Sequence, residues 1–270
     1  MNGFEVFQLG RMLMRVGEEV AAQTAQQASA PLDEVLATVL GTADPREIAD
    51  VVAELEGLNA RLVPRASDEG RGALRRLPQD WDAMYAPAPP WDIGRAQPAF
   101  RELAERGAFR GRVLDVGCGT GEHVLLAADL GLAATGIDTA ATAIAIAEGK
   151  ARDRDLTARF LVGDVLELGS LDEQFDTVLD SGVFHVFDDQ DRARFVDSLR
   201  AVTAPGGRYV VLCFSNRQPG SLGPRRVTQD DIRTSFAQGW QIESIEPATF
   251  DVTVDPAGAQ AWLAVLTRTE

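Results

Sequence analysis

The chain has 270 residues, a formal charge of −15 at pH 7 and an ordinary hydrophobic content of 45%. This length allows one sizeable α/β domain and a smaller accessory unit, whereas the negative charge disfavours binding to nucleic acids or to acidic membrane surfaces. No apolar run approaches the roughly 18 to 20 residues needed to span a bilayer, and the first residues lack the order of a signal peptide, so we expect a cytoplasmic protein.

Residues 1–80 are predicted to form a helical extension that ends in a linker. Apolar residues recur at three- and four-residue steps in 6–20 and 48–62, with a shorter stripe at 32–40 between them, and residues 65–80 are polar and contain glycine. Three such helices could form a DNA-binding helix-turn-helix module. However, residues 1–80 carry 8 Lys and Arg against 13 Asp and Glu, which favours a lid or a homodimerisation element instead.

Residues 88–100, APPWDIGRAQPAF, contain three prolines and two large aromatic residues. Because proline lacks a backbone donor and disfavours helix in the residue before it, the sequence predicts an extended segment. Aromatic side chains are costly to leave in water, so the segment should cover something. Trp91 and Phe100 either close over a binding site, as a lid, or fill the core beside the first strand.

From residue 112 onward, strand-like runs alternate with helical ones. The predicted strands are 112–117, 132–138, 159–164, 175–182, 206–214, 240–246 and 260–268, and the predicted helices are 122–131, 139–151, 188–202 and 228–238. Apolar strands separated by helices indicate a doubly wound α/β fold, in which a parallel sheet carries helices on both faces. The last two strands have no helix between them and are predicted to pair antiparallel.

A glycine-rich turn, within VLDVGCGTG at 113–121, follows the first of these strands. The ligand crevice of an open α/β sheet lies outside the carboxyl ends of its strands, and glycines remove side chains where a ligand must press against the backbone. Glu122 occupies the place of a dinucleotide loop's third glycine, where its carboxylate would face a pyrophosphate. The loop therefore disfavours a nicotinamide or flavin cofactor and favours a ligand with a cationic or neutral centre.

Acidic residues end the next two strands. Asp138 lies about twenty residues past the loop, where a carboxylate can accept hydrogen bonds from ribose hydroxyls. Asp164 ends the third strand, where it could accept from an adenine amino group. Either acid alone is typical of a helix cap or a turn, but acids at successive strand ends favour a nucleoside site.

These motifs together resemble those of the class I S-adenosylmethionine-dependent methyltransferases. VLDVGCGTG is similar to the glycine loop of that superfamily, GID to its ribose acid, GDV to its adenine contact and LRAVTAPGGRYVV to the segment leading into its fifth strand. The resemblance covers residues 81–270 and implies a mostly parallel seven-stranded sheet with an antiparallel C-terminal hairpin. PPWDIGRAQPAF, LDSGVFHVF and GWQIESIEPATF resemble the branch of thiol, halide, thiopurine and heterocyclic-toxin methyltransferases.

The resemblance also implies which residues bind S-adenosylmethionine and its acceptor. The implied cofactor contacts are Trp91, Asp115, Gly117, Gly119, Gly121, Asp138, Thr139, Asp164, Val165 and Asp180. An aromatic face such as that of Trp91, placed at the methionine end, favours a sulfonium cation by about 0.5 to 2 kcal/mol. Residues expected to line an apolar pocket for a small aromatic or heterocyclic acceptor are Tyr85, Phe184, Phe187 and Phe214. Arg225 is expected either to bind an anionic group there or to form a plain surface pair.

Methyl transfer is an in-line displacement, so most of the acceleration comes from holding the reacting atoms in line. His185 is the candidate general base, because imidazole titrates near neutrality and this residue follows the fourth strand at the crevice. The alternative is a histidine that packs between phenylalanines. Asp180 would orient that imidazole or bind the cofactor's amino group. His123 is interpreted as a surface or helix-start residue.

Other chemistries have less support. The acidic run at 188–191 is interpreted as a helix cap rather than a metal site, and the absence of CxxC and HExxH motifs leaves no ligand set for zinc. Cys118 and Cys213 are predicted to be buried thiols. The alternatives to a methyltransferase are a non-catalytic cofactor-binding protein with the same fold and a nicotinamide oxidoreductase.

Overall fold

The computed structural model describes residues 81–85, 89–219, 224–253 and 255–269. The predicted extension and linker, residues 1–80, lie outside these described residues. Within the described ranges, no helix combines the length and the apolar character needed to cross a membrane.

Helices and strands alternate along this part of the chain. In order they are α1 (Trp81–Met84), α2 (Pro98–Glu105), β1 (Arg112–Val116), α3 (Glu122–Asp129), β2 (Ala133–Asp138), α4 (Ala141–Asp153), β3 (Arg159–Val162), β4 (Phe175–Ser181), α5 (Asp189–Val202), β5 (Thr203–Phe214), α6 (Gln229–Ser235), β6 (Trp240–Val252) and β7 (Asp255–Arg268). Short 3-10 helices follow β3, at Val165–Leu171, and β4, at Phe184–Val186.

The strands form one seven-stranded sheet in the order β3-β2-β1-β4-β5-β7-β6. Neighbouring strands are parallel from β3 to β5, and β7 is antiparallel to both β5 and β6. The predicted doubly wound sheet with an antiparallel C-terminal hairpin is therefore confirmed. The strand order reverses between β2 and β4, so a ligand crevice is expected at the carboxyl end of β1.

Alternating residues of the strands supply two separate cores, one on each face of the sheet. On one face, Val113 of β1 and Leu179 of β4 pack with residues of α2, α3 and α4. On the other face, Leu114 and Val178 pack with residues of α5 and α6. The predicted burial of Cys118 and Cys213 is confirmed, since both are buried free thiols.

The C-terminal hairpin is longer than its apolar pattern predicts. β6 continues to Val252 and β7 begins at Asp255, so the ribbon extends past β5, whose pairing with β7 ends at Phe214. Alternate residues of this extension, Ala248, Phe250 and Val252, pack in the same core as Ala259 and Ala261, although the predicted strands end at 246 and begin at 260. The extension carries Phe250 and Asp251 to the carboxyl end of β1 and β4.

The expectation of a fully extended segment over 88–100 is wrong at its end. Helix α2 begins at Pro98, because proline at the first helical position lacks only a donor that the helix would leave unpaired. The two large aromatic residues of the segment also separate. Phe100 is fully buried in the core, whereas Trp91 is half-buried at the cleft described below.

Candidate active site

A cleft opens where the glycine loop follows β1. Its walls come from four parts of the chain: the segment before α2, the glycine loop with the start of α3, the end of β4 and the extension of β6. The lining residues are Tyr85, Trp91, Asp92, Ile93, Arg95, Gln97, Gly117, Cys118, Gly119, Thr120, Glu122, His123, Ser181 and Phe250. We call residues 89–97 the lid segment, because five of them line the cleft opposite the glycine loop.

The glycine loop is held in place by Asp138 at the end of β2. The backbone N–H of Gly119 donates to Oδ2 of Asp138 at 2.8 Å, and Ala140 N–H donates to Oδ1 at 2.9 Å. Burial raises the pKa of Asp138, although these backbone hydrogen bonds act in the opposite direction. Each carboxylate oxygen can accept more than one hydrogen bond, so the predicted ribose contact of Asp138 is compatible with this arrangement. Thr139, which follows it, is exposed.

Gly119 also shows why the loop needs glycine. Its φ angle of +51° lies in the left-handed region, and a Cβ atom there would lie 2.7 Å from the hydroxyl oxygen of Tyr85. A side chain would therefore strain the backbone and displace the residue that lies above the loop. The bare main chain of Gly119 forms part of the cleft wall.

The third predicted acid, Asp164, lies farther along the same edge of the sheet. It caps the 3-10 helix Val165–Leu171 by accepting a hydrogen bond from Leu166 N–H at 2.9 Å. Its side chain is exposed, whereas that of Val165 is buried in the core. Neither residue lines the cleft, so their contact with an adenine ring remains a prediction from the sequence.

Asp115 of β1 is the most unusual acid in this region. Its side chain is 1% exposed, and neither carboxylate oxygen accepts a hydrogen bond from the described residues. Nδ1 of His123 lies 3.6 Å from its Oδ2. A buried carboxylate without a partner is costly, so Asp115 fits a site that receives a cationic group such as the amino group of S-adenosylmethionine.

Trp91 of the lid segment contacts two aromatic residues that precede the segment, Trp81 and Tyr85. Trp91 Nε1–H donates to the hydroxyl of Tyr85 at 3.2 Å. The ring of Trp91 also makes edge contacts with Trp81 and Tyr85, at centroid distances of 6.4 and 6.3 Å. Tyr85 was expected to face the acceptor, but its hydroxyl lies over Gly119, on the cofactor side of the cleft.

Glu122 lines the cleft at the start of α3, where its charge has two basic partners. Lys150 Nζ donates to Oε1 at 2.8 Å, and Arg154 donates to both oxygens at 2.9 Å. Burial would raise the pKa of Glu122, but the hydrogen bonds from Arg154 and Lys150 outweigh it and lower the pKa. Glu122 therefore remains an ionised part of the cleft wall.

Asp180 does not orient His185 as expected. Its carboxylate accepts hydrogen bonds from Val183 N–H at 2.7 Å, Phe184 N–H at 3.0 Å and the Tyr209 hydroxyl at 2.7 Å. Burial raises the pKa of Asp180 to about 7. Because both oxygens are engaged inside the protein and the residue is fully buried, Asp180 shapes the turn after β4 instead of facing the cleft.

His185 is held by one hydrogen bond, which determines where its proton lies. Phe214 N–H donates to Nδ1 at 3.0 Å, so the proton of a neutral ring is on Nε2. Burial, together with the nearby Arg226 and Arg192, lowers the pKa of His185 to about 3. In this state the ring is neutral and its Nε2 is a donor, which does not support the general-base role expected from the sequence.

Two phenylalanines expected at the acceptor pocket lie elsewhere, and Arg225 follows the second of its two expectations, an ion pair outside the cleft. Phe184 is fully buried, with the Arg192 guanidinium carbon 4.6 Å from its ring centre. Phe187 packs on Phe195, at 5.0 Å between centroids. Arg225 pairs with acidic side chains, Asp189 at 2.5 Å and Asp231 at 3.5 Å. The Asp180 carboxylate explains why Phe184 is buried. Its hydrogen bond from Phe184 N–H fixes a turn that directs the Phe184 ring into the core.

Phe214, by contrast, belongs to an aromatic cluster that reaches the cleft. Its ring lies 5.1 Å from that of His185 and 5.4 Å from that of Phe250, which is itself a lining residue.

The predicted cap at 188–191 is confirmed, because Asp188 accepts from Asp191 N–H at 3.0 Å.

Several cleft residues escaped sequence reasoning. His123 was interpreted as a surface or helix-start residue; it is the second residue of α3, but it is buried in the cleft wall and is not on the surface. Its position two residues after Gly121, the last glycine of the loop, could have indicated that it lies at the cleft. Ser181 stands at the end of β4, where strand-end position is a usable signal. Gln97 and Phe250 carry no signal, because contacts between distant segments bring them to the cleft.

Comparisons with known proteins agree with this geometry. The model of a family described as a methyltransferase domain matches residues 113–207. A 2-heptyl-1-hydroxyquinolin-4(1H)-one methyltransferase from Mycobacteroides abscessus is 37% identical over 168 residues, which cover 61% of this chain and 74% of that protein.

Solved structures extend the likeness to the fold. One, described as "Conversion of a Disulfide Bond into a Thioacetal Group during Echinomycin Biosynthesis", is 37% identical, with a TM-score of 0.65 over 70% of this chain and 91% of the other. Magnesium protoporphyrin IX methyltransferase from Synechocystis with bound S-adenosylmethionine is 19% identical, with a TM-score of 0.51 over 63% and 76% of the two chains, and shares the fold alone. The lid over a glycine loop, the buried acids of β1 and β2 and these relatives together lead to one conclusion: the chain belongs to the class I S-adenosylmethionine-dependent methyltransferases.

Proposed function

We propose that this enzyme methylates an oxygen, nitrogen or sulfur atom of a small aromatic or heterocyclic acceptor. The observation that carries the proposal is the aromatic cluster of His185, Phe214 and Phe250, which reaches the cleft beside Ser181. Flat aromatic rings pack well against such side chains. The hydroxyquinolone substrate named for the Mycobacteroides relative supports this class, and the charge of −15 argues against a nucleic acid.

The cofactor would be held by the residues that fit its parts. Asp115 would accept from its amino group, the main chain of Gly117 and Gly119 would lie against it, and Asp138 would accept from its ribose hydroxyls. Trp91 would lie near its sulfonium, where an aromatic face favours a cation. When bound, S-adenosylmethionine supplies the methyl group as an electrophile, and the chain's contribution is to hold the acceptor in line with it.

His185 would then act as a hydrogen-bond donor to the acceptor. Its Nδ1 is occupied by Phe214 N–H, and among the described residues nothing bonds to Nε2. An Nε2–H directed at an acceptor oxyanion, thiolate or N-oxide would stabilise the ionised form that attacks the methyl carbon. Acceptors that ionise readily in solution are therefore the preferred class.

A screen for S-adenosylhomocysteine release tests this function. The acceptors are the N-hydroxyquinolone of the relative, phenols of graded acidity, an aliphatic thiol and iodide. We expect turnover with N-hydroxyquinolones and acidic phenols and little with iodide. Turnover confined to iodide or the aliphatic thiol would contradict the aromatic pocket, and no turnover despite cofactor binding would support a non-catalytic protein.

We propose that residues 1–80 cover the acceptor pocket or join two copies of the chain. Their apolar stripes need a partner surface, and their net negative charge disfavours DNA. Deletion of residues 1–75 should raise the Michaelis constant of the acceptor while leaving cofactor affinity nearly unchanged. A change from dimer to monomer in light scattering, with unchanged acceptor kinetics, would support dimerisation instead.

A further inference from the structure

His123 lies between the lid segment and the floor of the cofactor site. Its imidazole Nε2 accepts a hydrogen bond from the backbone N–H of Gln97 at 3.2 Å. Its Nδ1 lies 3.6 Å from Oδ2 of Asp115. Phe100 packs beside the ring, at 4.6 Å between centroids, and the histidine is buried. One side chain thus contacts both the lid segment and Asp115, whose carboxylate accepts no hydrogen bond within the described part of the chain.

The contact with Gln97 determines the tautomer of this histidine. A neutral imidazole has one N–H and one lone pair. Because a backbone N–H occupies Nε2 as donor, the proton of the ring is on Nδ1 and faces Asp115. The N–H that faces Asp115 and the lone pair that accepts from the lid are therefore the two ends of the same ring, and a change at one end alters the other.

The lid segment is anchored to β6 on its other side. The Gln97 side chain donates to Asp251 O at 2.9 Å and accepts from Asp251 N–H at 2.8 Å. Arg95 pairs with the Asp251 carboxylate at 2.9 Å, and Thr253 N–H donates to Pro90 O at 2.8 Å. These bonds join the lid to the hairpin but do not reach the glycine loop. The link between the lid and Asp115 passes through His123.

We propose that His123 is a positioning residue that couples occupation of the methionine end of the cofactor site to seating of the lid segment. When Asp115 accepts from the cofactor's amino group, its carboxylate is held in one orientation, with Oδ2 facing the Nδ1–H of His123. The lone pair then stays on Nε2, facing Gln97 N–H, and the lid is held over the bound cofactor. This inference requires cofactor binding at Asp115 and is independent of the acceptor's identity.

Hydrogen exchange at the Thr253 amide, measured by NMR, tests the coupling. This amide bonds to Pro90 O and touches neither His123 nor Asp115, so it reports lid seating at a distance from the substitution. In the unmodified protein, saturating S-adenosylhomocysteine should slow its exchange by about tenfold, the effect of making one hydrogen bond markedly more persistent. In His123→Phe, which keeps the ring, the same ligand should slow it less than about twofold.

Two controls separate coupling from general loosening. Arg95→Ala should speed Thr253 exchange without ligand, yet S-adenosylhomocysteine should still slow it, because the His123 link is intact. Should His123→Phe not fold, Asp115→Asn replaces it and should likewise abolish the ligand's effect on Thr253. Equal slowing of Thr253 exchange in His123→Phe and in the unmodified protein, both saturated with ligand, would overturn the proposal, since the lid would then be seated by direct contact with the cofactor.

Discussion

The hydroxyl of Tyr209 on β5 donates to Oδ2 of Asp180 on β4 at 2.7 Å, with both side chains fully buried. This bond connects two central strands to the turn that carries His185. Asp180 is also a titratable group inside the sheet, and burial raises its pKa to about 7, far above that of an exposed aspartate.

Tyr209→Phe is expected to destabilise the fold more at pH 8 than at pH 5. The folded pKa of Asp180 is raised, so its contribution to stability is present in full below about pH 4, the value for an unfolded aspartate, and is lost as the pH rises through 7. The Tyr209 hydroxyl favours the ionised form, so its loss should cost about 1 to 3 kcal/mol above pH 7 and less below. Urea denaturation at both pH values measures this, and an equal cost at both would contradict the account.

Gly119→Ala should weaken S-adenosylhomocysteine binding by more than about tenfold. The new Cβ would combine left-handed backbone strain with a 2.7 Å contact to the Tyr85 hydroxyl. Gly131→Ala is the matched control, because Gly131 also has a positive φ but its Cβ would meet open space. Calorimetry should find unchanged affinity in the control; if both variants lose affinity alike, backbone strain alone explains the effect.

Trp91→Leu should lower the affinity for S-adenosylmethionine by about threefold to tenfold, and that for the uncharged-sulfur product S-adenosylhomocysteine by less. The difference arises because the aromatic face attracts a sulfonium cation and not a thioether. Trp81→Leu serves as control, since Trp81 contacts Trp91 but does not line the cleft. Identical losses for both ligands would show that Trp91 acts by packing alone.

The pH dependence of kcat/KM should follow the acceptor and not His185. With its pKa lowered to about 3, the imidazole is neutral throughout pH 5 to 9, so the rising limb should move with the acidity of each phenol or hydroxyquinolone. His185→Gln retains an N–H donor and should lose less activity than His185→Phe, which we expect to lose about tenfold to a hundredfold. A rising limb of kcat/KM whose midpoint stays near pH 6.5 for every acceptor, and which is absent in His185→Gln, would restore the general-base interpretation.

The local patterns of this chain were sufficient to predict the sheet. Alternating apolar strands and helices, the turn at 113–121 and the absence of a helix before the last strand correspond to the observed mostly parallel sheet and to its antiparallel hairpin, whereas the strand order comes from the structure. These features depend on neighbouring residues, because burial on both faces requires a continuous apolar run and a ligand-facing turn requires glycine. The lid's position over the glycine loop came from family resemblance, and the structure agrees with it.

The sequence by itself thus determined the fold, the glycine loop and the acids that flank it, since each rests on local chain chemistry. Only the tertiary structure decided which polar atoms already have partners. Asp180 is occupied by Tyr209 and by backbone amides, His185 is oriented by Phe214, and Asp115 lies beside His123 without a hydrogen bond from any described residue. Such pairings join residues from different strands and loops. Their hydrogen bonds and burial depend on how these segments pack, so the spacing of residues along the sequence does not predict them.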